Sequence, residues 1–147
     1  MRNITLIIVH CSAVRPNQTS SAQQIDLWHR QRGWSGIGYH YVVRRDGTVE
    51  HGRAETKVGA HCLHHNLHSI GVCYEGGLDI NGRAADTRTA EQKAGLLQLL
   101  RELKSRYPRA LIVGHNTLDG HKACPCFDAT HEYRLLWRLF KVWRVWG

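Results

Sequence analysis

Four stretches of the sequence have hydrophobic patterns that predict β-strands. Residues 4–10 and 110–115 are short apolar runs, the first rich in β-branched side chains, and each predicts a buried strand. Residues 68–77 predict a third strand, which ends in two glycines. Residues 39–52 alternate around an Asp-Gly pair, a dipeptide favoured in tight turns, and therefore predict a β-hairpin.

Two helices are predicted from caps followed by apolar residues at helical spacing. The first begins after Ser20 or Ser21, either of which can cap it, and ends near Gly33. Thr89 begins the second helix, and Gln92 stands three residues later, as a capping box requires. Five leucines are predicted to form the buried stripe of this second helix: Leu96, Leu97, Leu99, Leu100 and Leu103.

A third amphipathic pattern, over residues 130–146, predicts a closing helix. Strands that are interleaved with helices, together with one hairpin, are typical of the α/β class. We therefore expect a single domain over residues 1–147, with a mixed central β-sheet flanked by helices.

Length and cysteine content indicate the cellular compartment in which the protein is made. At 147 residues the chain can bury roughly two-thirds of its unfolded surface, so it needs no disulfide framework. The number of cysteines, five, is odd. The first nine residues lead into a predicted strand and show no secretory signal. No stretch reaches the roughly 20 apolar residues of a membrane span. We expect cytoplasmic synthesis, where cysteines more often pack, bind metal or react than crosslink.

The formal net charge of +8 predicts an anionic partner, and the alternative is that the solvated face is simply basic. Nucleic acid, an anionic cell envelope and a negatively charged substrate all satisfy this condition, and charge alone does not separate them.

Two of the predicted strands end in histidine. If these strands are neighbours, His10 and His115 emerge at the same edge of the sheet, and Cys124 can return there nine residues after His115. Two histidines and one cysteine with an open fourth position form a plausible catalytic zinc site, because a structural site supplies four protein ligands. The alternative is that the histidines are packed or exposed and that Cys-Pro-Cys is a turn. Spacing alone does not decide between these interpretations.

Four sequence blocks, in order along nearly the whole chain, carry a family resemblance. They are VHCSA at 9–13, WHRQRGWSGIGYHYVVRRDGTVEHGR at 28–53, SIGVCYEGG at 69–77 and GHNTLDGHKACPCFD at 114–128. Together they resemble the type 2 N-acetylmuramoyl-L-alanine amidases, a family that includes amidase-type phage lysozymes and peptidoglycan recognition proteins. The resemblance implies the family's α/β fold, a peptidoglycan substrate, a Zn²⁺ cofactor and hydrolysis of the amide between N-acetylmuramic acid and L-alanine.

The resemblance also implies site residues. It makes His10, His115 and Cys124 the zinc ligands, and Tyr39 and Lys122 catalytic residues. All five residue types are present, which implies an active enzyme rather than a relative that only binds. Lys122 is suited to place positive charge on the developing oxyanion, a contribution of about a few kcal/mol, and Tyr39 to orient the attacking water and help move its proton.

Further histidines and cysteines lie near these motifs. His61 falls in a loop of the kind that lines the peptide groove in this family, which predicts substrate binding; His40 follows Tyr39 in a predicted strand, points to the opposite face and is expected to be structural. His121 is an additional histidine in the ligand segment, and its replacing a ligand is the less favoured alternative. Four cysteines are expected to be packed thiols: Cys11, Cys62, Cys73 and Cys126.

The resemblance favours a phage or prophage endolysin that reaches the wall after lysis, and a turnover enzyme for imported wall fragments is the other expectation. We expect a monomer. The basic, tryptophan-rich residues 134–147 are expected to dock on the core, and contact with an anionic envelope is the alternative.

Two rival functions remain at this stage. A thiol peptidase of the cell wall would use Cys124 or Cys11 as its nucleophile and a histidine as its base. A non-enzymatic basic zinc module would bind nucleic acid, but the sequence has neither a recognition-helix motif nor zinc-finger spacing.

Overall fold

A single mixed sheet organises the protein, whose computed structural model describes residues 2–136. Five strands form it in the order β3-β2-β4-β1-β5. Their bounds are β1 Leu6–Cys11, β2 Tyr41–Val43, β3 Val49–His51, β4 Ser69–Tyr74 and β5 Leu111–Gly114. β1 runs parallel to both β4 and β5, β2 runs parallel to β4, and β3 is antiparallel to β2. The predicted strands and hairpin are confirmed.

The helices begin where the capping residues predict. Their bounds are α1 Ala22–Gln31, α2 Ala90–Arg106, α3 His115–Leu118 and α4 Ala129–Glu132. Ser21 caps α1 and Thr89 caps α2, each in a complete capping box. The predicted closing helix is represented by α4, which gives way to a turn at residues 133–135; residues 137–147 lie outside the described part. None of the described helices is long and apolar enough to cross a membrane.

Alternation along β1 separates the two faces of the sheet. Ile7 and Val9 belong to the main core, which α2 covers, whereas Ile8 and His10 point to the other face. Within α2 the leucine stripe is confirmed, with the correction that Leu97 is only partly buried. The fold class is confirmed: this is a mixed α/β structure with a central sheet flanked by helices.

A buried polar residue joins α2 to the sheet. The Gln92 side chain is fully buried, and its Nε2 donates to the carbonyl oxygens of Val43 and Glu75, at 3.0 and 2.9 Å. These carbonyls lie at the end of β2 and just beyond the end of β4; that of Val43 also accepts from the Glu75 N–H at 2.9 Å. The same side chain therefore completes the capping box of α2 and fixes the position of the helix on the sheet.

Candidate metal centre and active site

Neighbouring parallel strands bring two histidines together. Val9 of β1 is paired with Gly114 of β5, so the next residue of each segment, His10 and His115, emerges at the same carboxyl edge. Their ring centroids are 4.7 Å apart. The adjacency predicted from the sequence is confirmed, and it results from strand pairing rather than from local sequence.

Cys124 returns to this edge from the loop that follows α3. The Asn116 N–H donates to the Cys124 carbonyl at 2.9 Å, and the Cys11 N–H donates to the Cys124 sulfur at 3.2 Å. Among residues 2–136, one group of three histidine, cysteine or acidic side chains brings its ligand atoms within 4.8 Å of one another, and it consists of His10, His115 and Cys124. The exposed His121 is not part of this group.

The donor set fits a zinc ion. Two imidazole nitrogens and a thiolate are typical zinc ligands, and bond lengths of about 2.1 Å to nitrogen and 2.3 Å to sulfur place such atoms about 3.5 Å apart in a tetrahedron. His10 Nδ1 lies 3.7 Å from Cys124 Sγ. This group could therefore bind a metal.

Burial keeps both histidines neutral. His10 is buried, and burial, aided by His61 and His115, holds the pKa of its imidazole well below its ordinary value. Burial, followed by the charge of Lys122, also lowers the pKa of His115. Because only a neutral imidazole offers a lone pair to a metal, both rings are ready to act as ligands at neutral pH.

Tyr39 lies against His10 and His29. Its ring centroid is 5.1 Å from that of His10 and 5.7 Å from that of His29. Burial, followed by the nearby Cys73 thiol, raises the pKa of Tyr39 well above its ordinary value, so its phenol stays protonated. The hydroxyl is therefore a hydrogen-bond donor throughout the neutral range.

A groove of about 760 Å³ opens beside this group. Tyr39, His115 and Lys122 line it, with the Lys122 side chain exposed to solvent. Among the other residues that line the groove are His29, Arg32, Trp34, His61, Asn66 and Asp119. All five residues predicted to perform the chemistry or bind the metal thus lie in or beside one cavity.

His61 lines the groove as predicted and also makes a contact that the sequence did not indicate. Its Nδ1 lies 2.8 Å from His10 Nε2, and its Nε2 lies 3.2 Å from Ser69 Oγ. Nothing in the spacing of these residues signals such a pairing, because His61 reaches His10 only through the tertiary fold.

The remaining histidine and cysteines near the centre are packed. The ring of His40 is buried, and its Nδ1 accepts from the Gly71 N–H at 3.0 Å, as expected of a structural residue. All five cysteines lie in the described part and are free. Cys11 and Cys126 place their sulfurs 3.9 Å apart beneath the candidate centre, and Cys126 donates to the Gly77 carbonyl.

Arg88 fixes the segment that follows Cys124. Its guanidinium, with only 1% of the side chain exposed, donates to the carboxylates of Asp86 and Glu132 and to the Tyr133 hydroxyl. The same group lies 3.4 Å above the ring of Phe127. Three positions after Cys124, the chain is thus held by a buried cation, which the sequence analysis did not identify.

His29 predicts a pH dependence of stability. Its Nδ1 accepts from the Gly38 N–H at 2.9 Å, and burial, with Arg32 and Arg53 nearby, lowers its pKa to about 4. Between pH 6.5 and 4, His29 is protonated in the unfolded chain but not in the folded one. The free energy of unfolding therefore falls as the pH is lowered through this window. We expect His29 to contribute about 1–2 kcal/mol to this fall in the free energy of unfolding. This is less than the pKa shift alone implies, because one edge of the imidazole ring faces the groove.

His29→Asn keeps an acceptor for Gly38 and removes the titrating ring. Urea unfolding at pH 7 and pH 5 should show a smaller loss of free energy of unfolding for His29→Asn than for the wild type. Parallel pH profiles of the two proteins would contradict this assignment.

Comparison with known structures places the fold among peptidoglycan amidases and recognition proteins. The N-acetylmuramoyl-L-alanine amidase LysC from Clostridium intestinale URNW matches with a TM-score of 0.76 at 31% identity, over 91% of this chain and 84% of that one. Drosophila PGRP-LB shares the fold, with a TM-score of 0.74 at 21% identity over 90% and 81% of the two chains.

Sequence comparison identifies the family. The model of the N-acetylmuramoyl-L-alanine amidase family matches residues 1–127. The endolysin of Escherichia phage T7 is 43% identical over 122 residues, which are 83% of this chain and 80% of that protein. The chain therefore belongs to the N-acetylmuramoyl-L-alanine amidase family, and the resemblance seen in the sequence is confirmed. Family and relatives together support amidase activity on peptidoglycan.

Proposed function

We propose that this protein is a zinc-dependent amidase that hydrolyses the bond between N-acetylmuramic acid and L-alanine in peptidoglycan. The observation that carries the proposal is the convergence of His10, His115 and Cys124 beside a groove that Tyr39 and Lys122 also line. Two neutral imidazoles and one thiol at one sheet edge fit a catalytic zinc site with three protein ligands.

A zinc ion at this site would polarise the amide carbonyl and activate water at neutral pH. The protein's part is to present neutral ligands in a fixed arrangement. His10 is held by the sheet, and the Cys124 backbone is tied to α3 through Asn116.

Lys122 supports the proposal through its charge and position. It lies on the groove wall close enough to His115 to lower the pKa of that imidazole. In the proposed reaction this ammonium group would offset the negative charge that the carbonyl oxygen gains during hydrolysis. Charge stabilisation of this kind typically contributes about a few kcal/mol to the transition state.

Tyr39 supplies a proton donor on the wall formed by His10 and His29. Because its pKa is raised, the phenol donates a hydrogen bond rather than acting as a base. A donor at this place can orient the attacking water or the substrate carbonyl.

Metal stripping tests the proposal and separates it from a thiol peptidase. The purified wild type should release peptides with L-alanine at their amino end from purified sacculi, as measured by mass spectrometry. We expect a chelator to abolish release, stoichiometric zinc to restore it, and iodoacetamide to leave the zinc-loaded enzyme active. Full activity after zinc removal, inactivation by iodoacetamide alone, or cleavage at another bond would contradict the proposal. Salt-dependent binding of DNA without any release would favour the nucleic-acid module instead.

We further propose that the protein acts on the bacterial cell wall as an endolysin. The support is the 43% identity to phage proteins that are themselves endolysins. The core docking expected for residues 134–147, like the alternative envelope contact, falls almost entirely outside the described residues. That contact, the expected monomer and the expected cytoplasmic synthesis remain predictions.

A further inference from the structure

We infer that His61 is a positioning residue that orients His10 so that Nδ1 of His10 is the nitrogen available to a metal. The inference rests on the proposed function, since it concerns the same centre. His10 has two ring nitrogens, and they face different partners: Nε2 lies 2.8 Å from His61 Nδ1, and Nδ1 lies 3.7 Å from Cys124 Sγ. His61 thus occupies the side of the ring that points away from the sulfur.

The hydrogen bonds from His10 to Ser69 have only two consistent directions. If His10 Nε2 carries the proton, it donates to His61 Nδ1, and His61 Nε2–H then donates to the Ser69 hydroxyl oxygen at 3.2 Å. If the protons lie the other way, His61 Nδ1–H donates to His10, and neutral His10 carries its proton on Nδ1. Only the first direction leaves a lone pair on His10 Nδ1. Metal binding and the tautomer of His61 are therefore coupled.

His61 is itself held firmly. The Asn66 side-chain oxygen accepts from the backbone N–H groups of His61 and Cys62, both at 2.9 Å. The ring lies directly on the backbone of Gly71, where an added Cβ would come within 2.6 Å of His61 Cδ2. A residue with a side chain at position 71 would displace the imidazole, so a glycine in the middle of β4 makes room for it.

This arrangement restricts the predicted substrate contact of His61. Both ring nitrogens are engaged within the protein, which leaves only ring carbons for a bound peptide. Histidines that bind metals commonly use their second nitrogen in a hydrogen bond that fixes the ring, and loss of that partner typically costs about 10- to 100-fold in metal affinity. Here the partner is a second histidine, whose tautomer is coupled to the direction of its hydrogen bond with Ser69.

The inference is tested by metal binding rather than by hydrolysis. Zinc affinity is measured by competition with a chromophoric chelator, and the geometry of the centre by the visible spectrum of the cobalt(II) form. His61→Ala should weaken zinc binding about 10- to 100-fold and alter the cobalt spectrum. His61→Asn, whose side-chain oxygen can accept the bond from His10 in place of Nδ1, should recover most of the affinity.

Two further variants keep the test decisive. Ser69→Ala removes the acceptor for His61 Nε2–H and should weaken zinc binding by about 2- to 10-fold. If His61→Ala does not fold, Ser69→Ala serves as the test in its place. His68→Ala, in the same segment but without contact to His10, is the matched control and should bind zinc like the wild type.

The outcomes distinguish this inference from the proposed function. Zinc affinities of His61→Ala and Ser69→Ala within twofold of the wild type would overturn it, and reduced hydrolysis in that case would assign His61 to the substrate. A wild type that binds zinc but does not cleave peptidoglycan would overturn the proposed function while leaving the affinity comparison valid. A wild type that binds no zinc would overturn both.

Discussion

Cys124→Ser should lose its metal and roughly 10³-fold or more of its amidase activity. A serine hydroxyl is not ionised at neutral pH, so it replaces a thiolate ligand with a weak neutral one. A thousandfold loss corresponds to about 4 kcal/mol of transition-state stabilisation, within the range that a catalytic metal supplies. Zinc content by atomic absorption and peptide release from sacculi, measured on the same preparation, check both parts of the prediction.

The matched control is Cys126→Ser. Cys126 lies two positions from Cys124 and donates through sulfur to the Gly77 carbonyl, a bond that a serine hydroxyl can replace. It should retain zinc and most of the activity. A Cys124→Ser protein that keeps both zinc and activity would show that Cys124 is not a ligand.

Arg88→Met should lower the free energy of unfolding by about 3 kcal/mol. The guanidinium is buried, whereas the side chains of Asp86 and Glu132 are 32% and 42% exposed, so the variant leaves two half-solvated carboxylates and the Tyr133 hydroxyl without their partner. Loss of one partner from a buried ion pair typically costs about 3–5 kcal/mol, and the partial exposure of the carboxylates favours the lower end. The hydrogen bond from Arg88 also lowers the pKa of Glu132.

Urea unfolding followed by circular dichroism measures this loss. Arg30→Met is the matched control, because Arg30 pairs with Asp26 on the surface of α1 with 60% of its side chain exposed, and its loss should cost less than about 1 kcal/mol. Arg88→Lys should recover only part of the stability, since an ammonium group cannot form the forked contacts to two carboxylates. Equal effects of Arg88→Met and Arg30→Met would show that the cluster around Arg88 is not structural.

Much of the fold could be predicted because its signals are local. The capping boxes at Ser21 and Thr89 need only residues three positions apart, and both occur where the sequence places them. The hairpin between β2 and β3 likewise depends on a short turn. Leu97 was placed in the buried stripe by spacing alone, and it is only partly buried because the exact face of α2 that meets the sheet depends on tertiary packing.

In the candidate site, too, local signals could be predicted and tertiary contacts could not. The strand ends and the family resemblance both indicated His10, His115 and Cys124. Strand pairing brings the two histidines together, and the loop after α3 returns Cys124 to them. The contact between His61 and His10 could not be predicted, because it joins segments 51 positions apart. The burial of Arg88 was equally hidden, since its partner Glu132 is 44 positions away and an arginine in a polar loop suggests solvent exposure.

The order of strands in the sheet has a consequence for synthesis. β1 is made first, yet its two neighbours are β4 and β5, and β5 leaves the ribosome about one hundred residues later. His10 and Cys124 are 114 positions apart, so no nascent chain that ends before Cys124 contains all three candidate ligands. The candidate centre can assemble only after Cys124 has been made, so products truncated before it carry the early strands without all three candidate ligands.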